Sequence, residues 1–385
     1  MLNRGARSAV VVGLGAAGSA AAYHLARRGV RVTGLDRFAP PHAMGSSHGR
    51  TRIIREAYFE HPLYVPLVRR AYELWAELEA EAGERLLAIT GGLMAGPREG
   101  ALVAGALRSA HEHGLPYEML DAREANARFP AFALEHDWVG LLEPRAGMLF
   151  PERCVSAHLA GARGAGAELR TNEPALRWRA DGAGVVVETA AGEHRADALV
   201  LAAGPWTAGL LPELALPLEI ARQTLHYFEP AAEKLPLLDP SRCPIAIWEH
   251  DRDRFFYSFP AHEGRVKCAV HHEGETARTP EAVRRDVDEA DTAPVRALLE
   301  RIIPAARGPL RESTVCLYTN TPDWHFVIDR HPAHRRVVVA SACSGHGFKF
   351  ASAVGELVAD LTTGTPPRFD PAPFAISRFA GRATA

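Results

Sequence analysis

Four places in the 385-residue sequence bring together groups that could do chemistry. The first is Gly13-Leu14-Gly15-Ala16-Ala17-Gly18, followed 18 positions after its last glycine by Asp36. In a G-x-G-x-x-G turn, Gly13 permits the tight bend, Gly15 lets the backbone approach a pyrophosphate, and Gly18 lets a helix pack closely on a strand. The free N–H groups and dipole at that helix start favour an anion, and Asp36 would accept from ribose hydroxyls. The spacing predicts a dinucleotide site and does not by itself choose between NAD and FAD. The second place is the Gly-, Ser- and Thr-rich stretch 37–55, which packs His48, Arg50, Arg52 and Arg55 into eight positions. Such a loop suits a ligand that is anionic. The third is the small-residue turn Ala202-Ala203-Gly204, and the fourth the late glycine-rich turn Ser344-Gly345-His346-Gly347-Phe348-Lys349.

These groups need a frame. SAVVVG before Gly13 reads as a buried strand, SAAAYHLARRG after Gly18 as a small-faced helix, and VRVTGLD as a second strand ending at Asp36. Residues 64–82 predict an amphipathic helix with Val65, Val68, Leu74, Trp75 and Leu78 inward. A strand is expected at 91–97 and a helix at 99–113, with only short turns between 120 and 144. Residues 147–169 read as strand then helix, and 185–207 as a hairpin followed by the apolar strand that leads to Gly204. From 216 to 318 the texture is short strands: Tyr227-Phe228, 245–248, 255–260, 265–272 and 313–319, with an acidic helical insert at about 280–300. That pattern predicts a mainly antiparallel sheet in a separate layer. The stretch VVVASAC, the turn at 344–349 and a helix over 351–361 then return the chain to the first layer, so the domains are discontinuous.

Composition bounds the rest. Hydrophobic residues are 47% and charged residues 23%, enough for a real core. Lys plus Arg (44) nearly cancel Asp plus Glu (46), which speaks against a nucleic-acid partner. The N-terminus has no apolar signal region, and no run nears the roughly 18 apolar residues of a membrane span. A cytoplasmic protein is the expectation. Cys154, Cys243, Cys268, Cys316 and Cys343 are scattered and lack CxxC spacing, so neither a disulfide framework nor a metal site is expected.

Taken in order, GLGAAG, GSSHGRTRIIREAY, FYSFP, VKCAVHH, CLYTNTPDWHFVID and SGHGFKF resemble the monomeric sarcosine oxidase and N-methyltryptophan oxidase family of flavin amine oxidases over nearly the whole length. The resemblance implies an α/β flavoprotein of the D-amino-acid-oxidase-like, glutathione-reductase-like type. An FAD-binding domain would comprise 1–90, 147–217 and 320–366, and a substrate domain 91–146, 218–319 and 367–385. It implies FAD linked covalently to Cys316, with Gly13, Gly15, Gly18, Asp36, Ser46, His48, Thr51, Arg52, Gly204, Gly345, Gly347, Phe348 and Lys349 around the cofactor. Arg55 and Lys349 would hold a substrate carboxylate, which needs charge-assisted donors once desolvated. Lys267 would activate oxygen, a fixed cation there stabilising superoxide. His271, Tyr257, Tyr318 and Arg52 would complete the active site, and Trp248 is expected near the substrate pocket.

The implied activity is oxidation of an N-methyl or cyclic secondary amino acid to an imine, with O2 reduced to hydrogen peroxide by a monomeric enzyme. Three alternatives stay open at this point: a dehydrogenase using another electron acceptor, a tailoring oxidase acting on a larger natural-product amine, and an NAD-dependent or non-catalytic nucleotide-binding protein.

Overall fold

The first layer is a six-stranded sheet in the order Val327–Arg330, Val337–Ser341, Ala198–Leu201, Ser8–Val12, Arg31–Leu35, Glu168–Arg170. It is seen in a computed structural model that describes residues 6–182 and 184–380. Its pairings are parallel except at the edge strand Val327–Arg330. The central strands are continuous apolar runs because both faces are covered. Ala9, Val11, Val200, Val338 and Ala340 face the helices Ala16–Arg27, Val65–Ala82, Pro151–Gly164 and Ala351–Thr363. Val10, Val12, Leu199, Leu201 and Val339 face Val185 and Val187 of a three-stranded antiparallel sheet spanning 177–196.

The second layer is a nine-stranded sheet. Its main path runs Thr276–Ala277, Glu219–Phe228, Val266–His271, Arg254–Ser258, Ile245–Asp251, Gly92–Pro97, Trp138–Glu143, Glu118–Asp121, and Leu310–Asn320 pairs along Glu219–Phe228. All pairings are antiparallel save Ile245–Asp251 with Gly92–Pro97. Side chains alternate between faces with period two. Val266, Cys268, Phe256 and Trp248 join one core cluster with the helix Glu289–Ile302. Lys267, His271, Tyr257 and Ile247 lie on the other face, which looks toward the first layer.

A small sheet of Arg52–Ile54, Gly147–Leu149 and Leu87–Ile89 connects the two layers. The C-terminal segment departs from the expected division: Phe374 and Phe379 are buried in the clusters of the first sheet rather than against the second. The segment continues directly from the helix Ala351–Thr363 of that layer, and the two aromatic rings bury apolar area against it. Among the described residues no helix is long and apolar enough to cross a membrane, and no group of His, Cys, Asp and Glu side chains could hold a metal.

Candidate active site

A cavity of about 710 Å³ runs between the two layers, from the glycine turn after Ser8–Val12 to Arg55 and Lys349. At its first end the backbone does the shaping. Gly13 has φ +88°, and a methyl group there would strike the backbone of Ala202. A methyl at Gly18 would overlap the Gly13 carbonyl, and one at Gly15 would stand 3.1 Å from Ser47 Oγ. The helix Ala16–Arg27 carries no side-chain cap at Gly15 and no acidic residue in its first turn. Its positive end is therefore left for a ligand, apart from Ala16 N, which donates to Ser47 Oγ at 2.9 Å. Asp36 is held by Leu14 N at 2.7 Å and Phe38 N at 2.8 Å and lines the cavity. Ser341 Oγ is buried without a partner on the same wall. Gly204, at φ +55°, and Trp206, whose ring lies 5.7 Å from that of Phe38, also line this end. A glycine cradle, an uncompensated helix start and a ribose-accepting carboxylate fit a flavin dinucleotide.

The middle of the cavity is the inward face of the nine-stranded sheet. Cys316 and Tyr318 alternate with the outward Val315 and Leu317 along Leu310–Asn320, so thiol and phenol reach the cavity together. Arg52 donates to the carbonyls of Thr51 and Ser46, both at 3.0 Å, and lies 3.4 Å from Cys316 Sγ. Lys267 is 3% exposed. Its Nζ donates to Gly49 O at 2.8 Å and Thr51 O at 2.5 Å and lies 4.7 Å from the Phe259 ring centre. That leaves one of three N–H donors for the cavity. Burial, and then the Arg52 charge, push its ammonium well below the usual lysine range. His271 Nδ1 sits 3.1 Å from Tyr318 Oη. Burial first, then its positively charged and histidine neighbours, hold this imidazole neutral.

The far end is a cationic clamp. Arg55, 1% exposed, stacks on Tyr58 and Phe59, with ring centres 4.3 and 4.7 Å away. It donates to Ala57 O at 2.9 Å and to Glu60 Oε2 at 2.6 Å, while its Nε finds no partner. Lys349 Nζ donates to His346 O at 2.8 Å and lies 3.4 Å from Tyr58 Oη. Burial, then the Arg55 charge, push Lys349 down to about 7. Two basic side chains, Arg55 and Lys349, thus converge on this end, and Glu60 is the carboxylate paired with Arg55.

Most of the expected residues meet at this cavity. Gly13, Gly15, Asp36, Ser46, Arg52, Arg55, Gly204, Tyr257, Lys267, His271, Cys316, Tyr318, Gly345, Gly347, Phe348 and Lys349 all line it. Gly18 acts from behind through helix packing. His48 and Thr51 also stand one layer back, both buried, with Thr51 contributing its carbonyl to Lys267. Trp248 needs correction. It is fully buried on the outward face, its ring 4.8 Å from Phe132 and its Nε1 donating to Ser258 Oγ at 3.3 Å. Strand alternation gives the cavity position to its neighbour Ile247 instead.

Sequence reasoning missed Glu60, Ser47, His346 and Glu143. Glu60 lies five residues beyond Arg55 on an irregular stretch, where no periodicity reports direction. Glu143 receives Glu56 N at 2.7 Å and Ala57 N at 2.8 Å, and so fixes the chain just past Arg55. Burial pushes this carboxyl up to about 7. Its identity as a strand-end anchor depends on a pairing 86 residues away in sequence.

The comparisons with known proteins agree with this geometry. The family described as FAD dependent oxidoreductase (DAO) matches residues 8–361. A monomeric sarcosine oxidase of Streptomyces avermitilis is 45% identical over 371 residues, covering 94% of this chain and 96% of that protein. An N-methyl-L-tryptophan oxidase of Salmonella agona is 36% identical over 372 residues, covering 96% and 98%. Among solved structures, NikD, an amino acid oxidase essential for nikkomycin biosynthesis, superposes with a TM-score of 0.84 at 26% identity, covering 96% of this chain and 97% of that one. With its glycine cradle, its sheet-borne cations and a match running from the first strand to the last helix, the chain belongs to the DAO family of FAD-dependent oxidoreductases.

Proposed function

We propose that this enzyme oxidises the C–N bond of small N-methyl or cyclic secondary amino acids, as the names of its sarcosine oxidase and N-methyltryptophan oxidase relatives suggest. The observation that carries the reading is the placement of Arg55 and Lys349 at the opposite end of one continuous cavity from the glycine cradle. FAD held by the glycine cradle would supply the two-electron acceptor and pass those electrons to O2, giving hydrogen peroxide.

The chain's own groups do the rest. Arg55 offers a fork and Lys349 a point charge to the substrate carboxylate. Stacking on Tyr58 and Phe59 fixes the guanidinium plane, so little orientation remains to be lost on binding. The fixed charges of Arg52 and Arg55 favour the neutral form of a substrate amine bound near them, the form with a lone pair available for oxidation. The neutral His271, held by Tyr318, supplies a hydrogen-bonding edge without adding another charge. Hydrolysis of the product imine returns the primary amino acid and, from an N-methyl substrate, formaldehyde.

Lys267 is assigned to the oxygen-reactive position, where a proton taken up at its buried Nζ would stabilise developing superoxide. Cys316, on the cavity wall 3.4 Å from the Arg52 guanidinium, is assigned as the point of covalent flavin attachment. Acid precipitation of the purified protein tests the link: yellow colour should stay with the pellet, and should pass to the supernatant in Cys316→Ala. Anaerobic addition of N-methylglycine should bleach the flavin, and readmitted oxygen should restore it with stoichiometric peroxide. A flavin that no N-methyl or cyclic amino acid reduces would sink the functional assignment.

A further inference from the structure

Behind the His271–Tyr318 edge lies an aromatic stack that the assigned roles do not use. The His272 ring packs 3.9 Å from the centre of His271, 5.3 Å from Tyr318 and 4.0 Å from Trp324. It also presses on Gly345: a methyl group there would stand 2.7 Å from His272 Cε1 and 2.8 Å from Tyr318 Cε2. Both members of the outer pair hold left-handed backbone, at φ +64° for His272 and φ +60° for Trp324, which residues with bulky side chains avoid. Two adjoining outliers in ring contact beside a cavity wall are the pattern expected where strain serves a site. His272 Nδ1 is buried with no partner, so no hydrogen bond from that atom fixes the ring.

Trp324 is 44% exposed, yet its loop is anchored firmly. Arg378 holds the adjacent Asp323 at 2.9 and 3.3 Å, and the Trp324 carbonyl lies 2.9 Å from His346 Nε2. His346 in turn reaches Tyr58 Oη at 2.5 Å, under the clamp formed by Arg55 and Lys349. An indole fixed in this way covers the outer side of His272 and blocks its retreat.

We propose that the His272–Trp324 stack is a positioning element that sets the depth of the substrate end. It holds His271, Tyr318 and Gly345 forward into the cavity and so selects secondary amino acids with compact carbon skeletons over bulky or aromatic ones. The inference rests on the substrate class assigned above. With the stack removed, the His271 and Tyr318 rings gain room to withdraw, and the pocket deepens without loss of a group that touches substrate.

His272→Gly and Trp324→Gly test this cleanly, because glycine takes positive φ without steric cost and the fold is kept. The ratio of kcat/KM for N-methylphenylalanine to that for N-methylglycine should rise on the order of tenfold in His272→Gly, mainly through KM. Trp324→Gly should move it in the same direction, and His272→Phe should bring it back toward the wild-type ratio. A second readout needs no turnover: the dissociation constants of benzoate and acetate, read from the perturbed flavin absorption, should shift in favour of benzoate. Should no N-methyl amino acid reduce the wild-type flavin, the assigned substrate class fails, and the benzoate-to-acetate ratio still judges the wall. Unchanged ratios in both glycine variants, with melting temperature as the only property altered, would overturn the proposal.

Discussion

Lys349 is the most conditional charge in the site. Burial and the Arg55 guanidinium bring its pKa to about 7, so the ammonium is present below that pH and lost above it. A carboxylate ligand remains ionised throughout this range, and its pairing therefore strengthens as pH falls through 7 and weakens as pH rises, down to the level Arg55 sustains alone. A hydrogen bond to a charged group contributes about 1.5–3 kcal/mol. Lys349→Met should accordingly weaken acetate binding at pH 6 by roughly ten- to a hundredfold and flatten the pH dependence. Calorimetric titration of acetate between pH 6 and 8.5 checks this, and an unchanged slope in the variant would remove Lys349 from the clamp. The same residue shows what a sequence can reveal. Its place after Gly-His-Gly-Phe marked it as unlike a surface lysine, whereas Glu60 and Glu143, which set the charge and position of Arg55, stand in no motif. Their roles arise from approaches across 5 and 87 positions that no local pattern encodes.

At the scale of the element, the strand-turn-helix of residues 8–35 was fully legible because one small set of glycines serves both local geometry and ligand approach. The close contact between Gly18 and the Gly13 carbonyl makes a strong prediction. Gly18→Ala forces the helix Ala16–Arg27 off the strand by overpacking, at a cost of about 1–3 kcal/mol. Thermal melting should record that loss, and the variant should be purified largely without flavin; a yellow variant with unchanged melting temperature would refute this account of Gly18. The helix Val65–Ala82 was equally readable, since Val65, Val68, Leu74, Trp75 and Leu78 are all buried as their spacing requires. The strand Trp138–Glu143 was not. All six of its residues are buried, so it has no polar alternation, and Gly140 interrupts its apolar run. Gly140 is nevertheless required there, because a methyl group would collide with Leu93 across the pair. The two-residue expectation at Tyr227-Phe228 likewise grew to the ten-residue strand Glu219–Phe228, whose buried Arg222, Gln223 and His226 disguise it. Arg222 is satisfied by Asp291 at 2.7 Å from the helix Glu289–Ile302, a tertiary partner that propensity ignores.

For the whole molecule, neither layer contains the site. The glycine cradle belongs to the parallel sheet, while Lys267, His271 and Cys316 belong to the antiparallel one, and the cavity exists only where the two meet. Contacts at the mouth reinforce that meeting: Glu281, beyond the second sheet, accepts from Arg37 at 2.6 Å and from Trp206 Nε1 at 2.7 Å. These groups are exposed, so their pairing alone contributes little, and a bound dinucleotide adds a further bridge to the core that Met94, Leu141 and Ile247 share with the first layer. A ligand that binds only the folded state stabilises it by RT ln(1 + [L]/Kd), about 2.7 kcal/mol at a hundredfold excess over Kd. If Cys316 carries the flavin covalently, wild-type enzyme is loaded at every concentration, and added FAD leaves its melting temperature unmoved. Cys316→Ala converts that fixed connector into an exchangeable one, so its melting temperature should fall when FAD is removed and climb logarithmically as FAD is returned. Differential scanning calorimetry across a range of FAD concentrations separates the cases. A wild-type protein whose melting temperature also climbs with added FAD would show that the cofactor is held by the cradle alone, and that Cys316 lines the cavity without bonding to it.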